Sequence, residues 1–392
     1  MSKTVVVGLS GGVDSSIAAY LLKKEGYEVK GLFMKNWEDQ QGVLTSSCHW
    51  EDDLRFAEMT AKKLEIPLHF VDFSKEYREK VVNYMFAEYK RGRTPNPDVL
   101  CNREVKFDLF AREAEKLGSD YIATGHYCKK KSTEQNGKTI HSLLAGIDDN
   151  KEQSYFLCQI SQQQLARALF PLGDLYKSQC RELATSLGLP TADRRDSQGI
   201  CFVGKVDLPQ FLQQKLAPKR GNIIKIPLEP LREEKLETPP DNLRMLCRAY
   251  DFRKIGGEKV GEHQGAHYFT IGQRKGLNVG GTKEPLYVLA TDTENNIVYV
   301  GEGKNHPGLY RKGLFIERID IHWLRPDLQL QPGEEQIMDF RIRYRQPLQK
   351  GKLLMKEEGA YIIFDQPQRG VTPGQFAVWY VDGELLGSGV IA

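Results

Sequence analysis

No apolar run among the 392 residues approaches the roughly 20 residues that a membrane-crossing helix needs. A helical membrane anchor is therefore not expected. The chain enters a strand within its first residues and shows no signal-peptide pattern, so a cytoplasmic location is expected. There is no Cys-x2-Cys pair, which argues against a zinc ribbon, and no resident metal is expected. The seven cysteines (Cys48, Cys101, Cys128, Cys158, Cys180, Cys201 and Cys247) are odd in number and widely spaced. That is not the pattern of a disulfide framework. Most read as small buried hydrophobes; Cys48 beside His49 is ambiguous. Charge of one sign is also lacking. Formal net charge is only +3, and the first 200 residues carry 28 Lys+Arg against 28 Asp+Glu. The whole excess lies in the second half, so any nucleic-acid surface must be a local patch. Internal repeats and low-complexity segments are absent.

With 40% hydrophobic residues, the composition is that of a globular chain of two or three domains. Its first landmark is Val5-Val6-Val7-Gly8-Leu9-Ser10-Gly11-Gly12-Val13-Asp14-Ser15-Ser16. The valines predict a buried parallel strand, and Ile17 to Leu22 a helix that stops near Gly26. Strand, glycine turn and helix start make a phosphate cradle, because N–H groups and the helix dipole favour an anion there. Gly11 and Gly12 let the backbone approach phosphate oxygens. Ser10, Ser15 and Ser16 add hydroxyl donors, and Asp14 is placed to reach a phosphate-bound Mg²⁺. The loop has no lysine, so it is not the Gly-x4-Gly-Lys-Ser/Thr phosphate loop. It resembles the Ser-Gly-Gly-x-Asp-Ser pyrophosphatase loop of enzymes that split ATP into AMP and pyrophosphate. The plainer alternative is a strand–helix corner with a capping serine.

Further strands are expected at Tyr27 to Met34, Leu68 to Phe73 and Tyr121 to Thr124. Helices are expected over Glu51 to Leu64, Lys75 to Lys90, Phe107 to Leu117, Ser161 to Leu169 and Lys177 to Leu187. Alternating strands and helices predict an α/β fold: an open parallel sheet with helices on both faces, binding ligands beyond the carboxyl ends of its strands. Ser10, Met34 and Gly125 sit at such ends. Composition shifts near residue 216, and Pro227 to Pro240 is rich in proline and charge. From Glu284 short strands prevail, including a hairpin over Tyr287 to Val300 and a strand over Gln336 to Tyr344, which predicts a small antiparallel β-barrel or sandwich. The expected domains are 1–216, 217–283 and 284–392.

Thr94-Pro95-Asn96-Pro97-Asp98-Val99-Leu100-Cys101 reads as a rigid loop entering a helix near Cys101. A cysteine at a helix start, with Arg103 and Lys106 nearby, is expected to have a lowered pKa. Asp98 is one turn away and suited to moving a proton. Cys201 follows Gln198-Gly199-Ile200, where Gly199 permits an unusual backbone angle. On Arg341 to Gln346, basic side chains alternate along an expected strand, a phosphate grip or merely a solvated face. Lys129-Lys130-Lys131 reads as a solvated loop, and Arg274-Lys275 as an RNA contact or a turn.

Six motifs occur in order: the Ser10–Ser16 loop, Asn96-Pro97-Asp98 with Cys101, Ala123-Thr124-Gly125-His126-Tyr127, Lys151 to Leu157, Gly199-Ile200-Cys201-Phe202, and Thr270 to Leu277. Together they resemble the bacterial tRNA-specific 2-thiouridylase family of ATP pyrophosphatases, over nearly the full length. One departure is visible: about thirty residues between Ile224 and Gly256 replace a short hairpin.

The resemblance implies a pyrophosphatase domain, a small central domain and a C-terminal β-barrel that contacts tRNA. It implies ATP and Mg²⁺ as cofactors and the tRNA anticodon loop as partner. A persulfide carrier protein or cysteine desulfurase is implied as sulfur source. It implies Cys101, Cys201 and Asp98 as catalytic residues, Cys201 carrying the persulfide. A Cys101–Cys201 disulfide would remain after transfer, which requires thiols 100 residues apart to meet. ATP would be held by Gly8, Leu9, Ser10, Gly11, Gly12, Val13, Asp14, Ser15, Met34 and Gly125. The tRNA would meet Asn96, Pro97, Asp98, Lys151, Glu152, Gln153, Arg343 and Tyr344. Cys201 is expected on a mobile segment. The competing expectations are a small-molecule ligase with the same loop, like argininosuccinate or GMP synthases, and a non-enzymatic RNA-binding module with a redox-sensing cysteine pair.

Overall fold

The computed structural model describes residues 2–37, 50–196, 199–204, 206–228, 231 and 242–392. Cys48, His49, Gln198 and part of the proline-rich stretch lie outside the described residues. Among the described residues no helix is long and apolar enough to cross a membrane.

The N-terminal part is the expected parallel sheet. Strands β1 (Thr4–Gly8), β2 (Glu28–Lys35), β3 (Leu68–Asp72), β4 (Tyr121–Ala123) run in chain order. After a hairpin of β5 (Cys128–Gln135) and β6 (Lys138–Ala145) comes the short β7 (Ala168–Leu169). The sheet order is β3-β2-β1-β4-β7, and every pairing is parallel. The order reverses between β1 and β4, and that switch point is where such sheets open a ligand crevice. Consecutive valines of β1 point to opposite faces. Val6 packs with Leu100, Cys101 and Phe110, while Val5 and Val7 pack with Ile17, Ala18 and Ala57. Both faces are thus buried, which is why the strand reads as an uninterrupted apolar run.

Several local expectations are corrected. The helix carrying Cys101 starts at Pro97, not near Cys101, and runs through 97–116. Asn96 caps it by accepting from the Val99 N–H at 3.3 Å, and proline is favoured at the first helical position. Its Cys101–Leu109 portion winds as a π-helix. The region 161–169 ends in β7 rather than in helix. Lys129, Lys130 and Lys131 lie on β5, not in a loop. Lys130 donates to the Ala166 carbonyl at 2.9 Å, and burial pushes its pKa down to about 8.

The central sheet has the order β10-β11-β8-β9, from β8 (Gly221–Lys225), β9 (Glu258–His263), β10 (Leu286–Asp292) and β11 (Ile297–Glu302). The β10–β11 hairpin, expected to begin the C-terminal domain, pairs instead with β8 through Ile297↔Asn222 to Val300↔Lys225. Local sequence predicts a hairpin but not its distant partner.

The C-terminal sheet consists of β12 (Tyr310–Glu317), β13 (Ile321–Trp323), β14 (Glu335–Arg341), β15 (Gln349–Lys356), β16 (Gly359–Arg369), β17 (Phe376–Val381) and β18 (Glu384–Val390). All pairings are antiparallel. β6 joins β18 at Leu144↔Glu384 and Leu143↔Leu385, so the first domain is stitched to the last. The contact is also apolar: Phe376, Val378, Tyr380 and Leu385 share one core with Leu100, Cys101 and Tyr155. Gln375 Nε2 donates to the carbonyls of Thr94 (2.8 Å) and Pro95 (3.1 Å), fixing the loop before Asn96 from the C-terminal side.

Candidate active site

The glycine-rich loop leaves β1 at Gly8 and enters the helix α1 (Val13–Lys24). Gly12 occupies the N-cap position with no side-chain cap, so the first N–H groups of α1 are left for another acceptor. Gly11 has φ +73°, and a Cβ there would lie 2.2 Å from the Asp53 carbonyl oxygen. Ser15 Oγ accepts from the Ser10 N–H at 3.2 Å and donates to the Gly12 carbonyl at 3.0 Å, which closes the loop on itself. Gly125 packs on the same turn: a Cβ would sit 2.8 Å from Asp14 Cβ and 3.0 Å from the Ser15 nitrogen. Met34 lines the other side, its Cε within 3.7 Å of where a Gly8 Cβ would be. Uncapped donors, two glycines and two hydroxyls fit a phosphate group.

The loop has no lysine of its own, but the structure supplies one. Lys177, at the start of the helix Lys177–Ser186, places Nζ 2.6 Å from Asp14 Oδ1 and 2.9 Å from Asp196 Oδ1. Tyr127 donates to the same Asp14 oxygen at 2.7 Å. Lys151 (2.6 Å) and Arg181 (2.8 Å) complete the ring around Asp196. Burial alone would raise the Asp196 carboxyl, but hydrogen bonds from Lys151 and Lys177 and their charges hold it well below the usual range. Arg194 donates to the Gly11 carbonyl at 3.1 Å and pairs with Asp53 at 2.8 Å. Lys177 and Arg194 are residues that sequence reading missed; nothing local marks them, because their partners in the glycine-rich loop, Asp14 and Gly11, lie 163 and 183 positions away.

The two expected thiols come together. Cys101 is fully buried, Cys201 half-buried, and both are free. Cys201 packs against the core that contains Cys101, and the two thiols influence each other's titration. Cys201 sits in a tight turn closed by the Ile200–Gly204 bridge, with Gly199 at φ +98° and Phe202 at φ +65°. A non-glycine residue in that region costs of order 1–3 kcal/mol, so other contacts must hold the turn. Two do: Asp98 Oδ1 accepts from the Cys201 N–H at 2.9 Å, and Tyr77 donates its hydroxyl proton to the Cys201 carbonyl at 2.6 Å.

The pKa expectation for Cys101 is corrected. Burial, reinforced by its hydrogen bond to Cys201, raises Cys101 well above an ordinary thiol. Cys101 lies in the second turn of its helix, away from the N-terminal donors. Arg103 turns away to Glu104 (2.8 Å) and Gln159 (3.0 Å). The lowered thiol is Cys201, through donation from Cys101 and, against burial, the charge of Lys106. Burial raises the Asp98 carboxyl, which suits a group that must hold a proton. His126 follows Gly125 of the cradle and is kept neutral by burial and by Lys106; its Nδ1 lies 2.7 Å from Thr124 Oγ1. His126 packs its ring against Phe107 of the 97–116 helix, with centroids 6.1 Å apart, so the residue after Gly125 touches the helix that carries Cys101.

The remaining site residues are placed as follows. Asn96, Pro97 and Asp98 form the helix start beside Cys201. Gln153 accepts from the Tyr127 N–H at 3.1 Å. Glu152 is only 4% exposed and takes Arg341 at 2.5 Å, binding the first domain to β14. β14 ends at Arg341, so the expected strand through Tyr344 is corrected: 342–346 form a turn. Glu152 draws Arg341 inward, while Arg343 donates to the Arg369 carbonyl at 3.1 Å, so the basic residues share no strand face. The Tyr344 ring packs against Phe156 at a tilt of 40°, with ring centroids 4.3 Å apart.

A parallel sheet whose switch point holds a glycine–serine phosphate cradle, in a domain that also brings two free cysteines together, defines a nucleotide-binding α/β protein. A family model described as "tRNA methyl transferase HUP domain" matches residues 3–205. Models described as "tRNA methyl transferase PRC-barrel domain" and "Aminomethyltransferase beta-barrel domain" match 248–302 and 313–391. The chain is 56% identical to the tRNA-specific 2-thiouridylase MnmA of Christiangramia forsetii and 55% to that of Flavobacterium johnsoniae, each covering 100% of both chains. It is 45% identical to that of Chlamydia trachomatis, covering 100% of this chain and 98% of the relative. The chain belongs to the tRNA-specific 2-thiouridylase family.

Proposed function

We propose that this chain carries out ATP-dependent 2-thiolation of the wobble uridine of tRNA, as a tRNA-uridine 2-sulfurtransferase. The observation that supports it most is the Cys201 turn, tied by its N–H to Asp98 and packed on the core that contains Cys101, in the same domain as the phosphate cradle. A carbonyl oxygen is a poor leaving group, and transfer of AMP onto O2 turns it into a good one. Residues Gly8 to Ser15, with Met34 and Gly125, hold ATP; Lys177 faces the pyrophosphate that leaves, and Asp14 would hold a phosphate-bound Mg²⁺, which would supply further positive charge there. Asn96, Pro97 and Asp98 meet the flipped base, an inexpensive extrusion from a single-stranded loop.

Cys201 receives the sulfur as a persulfide from a carrier protein or a desulfurase. Its terminal sulfur attacks C2, the C2–S bond forms, and AMP departs with the original oxygen. Cys101 gives up its proton, for which Asp98 is the acid–base group, and attacks the Cys201 sulfur. The S–S bond to the transferred sulfur breaks, and its electron pair stays with the thiolated base. A Cys101–Cys201 disulfide remains, and a thiol reductant returns both thiols with two electrons. Lys151, Gln153, Arg343 and Tyr344 contact the tRNA at the rim, with Glu152 holding that rim in place. The site is cytoplasmic, where tRNA and reductants are.

Mass analysis of wobble uridines in tRNA from cells lacking this chain tests the reading. Loss of the 2-thio group is expected, and its full retention overturns the proposal. In vitro, AMP formation should require tRNA and vanish in Asp14→Ala. Pyrophosphate release driven by a free amino acid without tRNA would instead identify a small-molecule ligase.

A further inference from the structure

Lys106 is placed in the thiol centre by the winding of its helix. In an α-helix, five residues rotate a side chain about 140° away. The Cys101–Leu109 stretch is π-wound, with i→i+5 repetition, so Lys106 returns toward the face that carries Cys101. Asp98, three residues before Cys101, shares that face. The Lys106 ammonium stands 5.4 Å from the centroid of the Phe202 ring, the residue next to Cys201. Its side chain is half-buried, and the charges it meets are those of the two sulfurs and Asp98.

We propose that Lys106 is the positioning charge of the thiol centre: it holds the Cys201 sulfur as an anion, the form that attacks and takes up sulfur from a donor. The role deepens the thiolation reading, and only the use of that anion for sulfur loading rests on it. The groups facing Cys201 are Cys101, Asp98 and Lys106 on the 97–116 helix. Tyr77 comes from the 74–90 helix, and His126 faces Lys106 from the loop after β4. Of these, Cys101 gives a neutral hydrogen bond, Asp98 engages the Cys201 backbone N–H, and His126 stays neutral. Lys106 is therefore the permanent cation among them. Burial works against its charge, and the neighbouring sulfurs and Asp98 outweigh it, so its pKa stays raised. A buried lysine at a nucleophilic cysteine is an established way to favour thiolate. The π-winding gains a reason as well: an α-helical register would turn this lysine out of the centre.

The test is the pH dependence of Cys201 alkylation by iodoacetamide, read on its peptide by mass spectrometry in the full chain. Neither tRNA, ATP nor a sulfur donor is present, so the outcome does not depend on the thiolation reading. Lys106→Gln keeps a hydrogen-bond donor and removes the charge; Lys106→Arg keeps the charge. The alkylation midpoint is expected to rise by about one pH unit in Lys106→Gln and to return toward the parent in Lys106→Arg. Melting temperatures of both variants check that the fold is kept. A Lys106→Gln profile that superposes on the parent overturns the proposal, as does an equal rise in both folded variants.

Discussion

Gly11→Ala combines a forbidden backbone angle with a collision, and its neighbour Gly12 provides the control. At φ +73° an alanine pays about 1–2 kcal/mol for the left-handed conformation. Its Cβ would also fall 2.2 Å from the Asp53 carbonyl oxygen and 2.9 Å from that residue's Cα. These are backbone atoms, which no rotamer change relieves. Overpacking of this kind costs about 1–3 kcal/mol. The sum is about 2–5 kcal/mol, or roughly 4–20 °C of melting temperature at ~2–4 °C per kcal/mol for a domain of this size. Gly12 has φ −94°, and its nearest atom to a new Cβ is Ser10 Oγ at 3.5 Å, ordinary contact. Gly12→Ala is expected to cost less than about 1 kcal/mol, since alanine is only a poorer N-cap than glycine. Thermal melting followed by tryptophan fluorescence measures the first effect. Calorimetric titration with ATP measures the second: Gly11→Ala should lose binding because the loop cannot keep its shape. Parent-like melting and ATP affinity in Gly11→Ala, or an equal drop in melting temperature in Gly12→Ala, would refute the reasoning.

Cys101→Ala and Cys201→Ala should each abolish tRNA thiolation while tRNA binding survives; full turnover by either, assayed on purified tRNA, would exclude a two-cysteine route. Arg341→Leu strands the Glu152 carboxylate in a buried setting, and breaking such a pair costs about 3–5 kcal/mol, so melting should fall clearly. A melt unchanged to within a degree would mean that Glu152 is not the domain anchor. Asp196 has a folded-state pKa below its ordinary 3.8, so its ion pairs add stability above that pH and lose it as pH falls through the folded value. Asp196→Asn should therefore be less stable than the parent at pH 7, with the gap closing below about pH 4. A gap that stays constant down to pH 3 in melting experiments would contradict the assignment.

Sequence alone was sufficient for the first sheet and the cradle. Both are local: Val5 to Val7 face two cores, and the glycines, serines and helix start follow within ten residues. The pyrophosphatase loop and the Asn96 to Cys101 motif were legible for the same reason, since their chemistry is written in adjacent positions. Elements set by long-range pairing were not. The Tyr287 to Val300 hairpin was visible, yet its membership of the central sheet comes from β8, over 70 residues earlier. The lysines of β5 looked like a loop because polar residues fill a strand that is held by its partner β6 and, through β6, by β18.

The thiol centre divides along the same line. The family resemblance named Cys101, Cys201 and Asp98 as a set, while the residues around Cys101 assigned the low pKa to that thiol, where the structure assigns it to Cys201. Proximity in sequence put Arg103 and Lys106 beside Cys101; only packing shows Arg103 drawn off by Glu104 and Gln159, and Cys101 sealed in the core. A pKa is set by solvent access and by the charges around a group in space, neither of which adjacency reports. The lysine missing from the glycine-rich loop was likewise a true reading of the sequence, and folding placed Lys177 against Asp14 from 163 positions away.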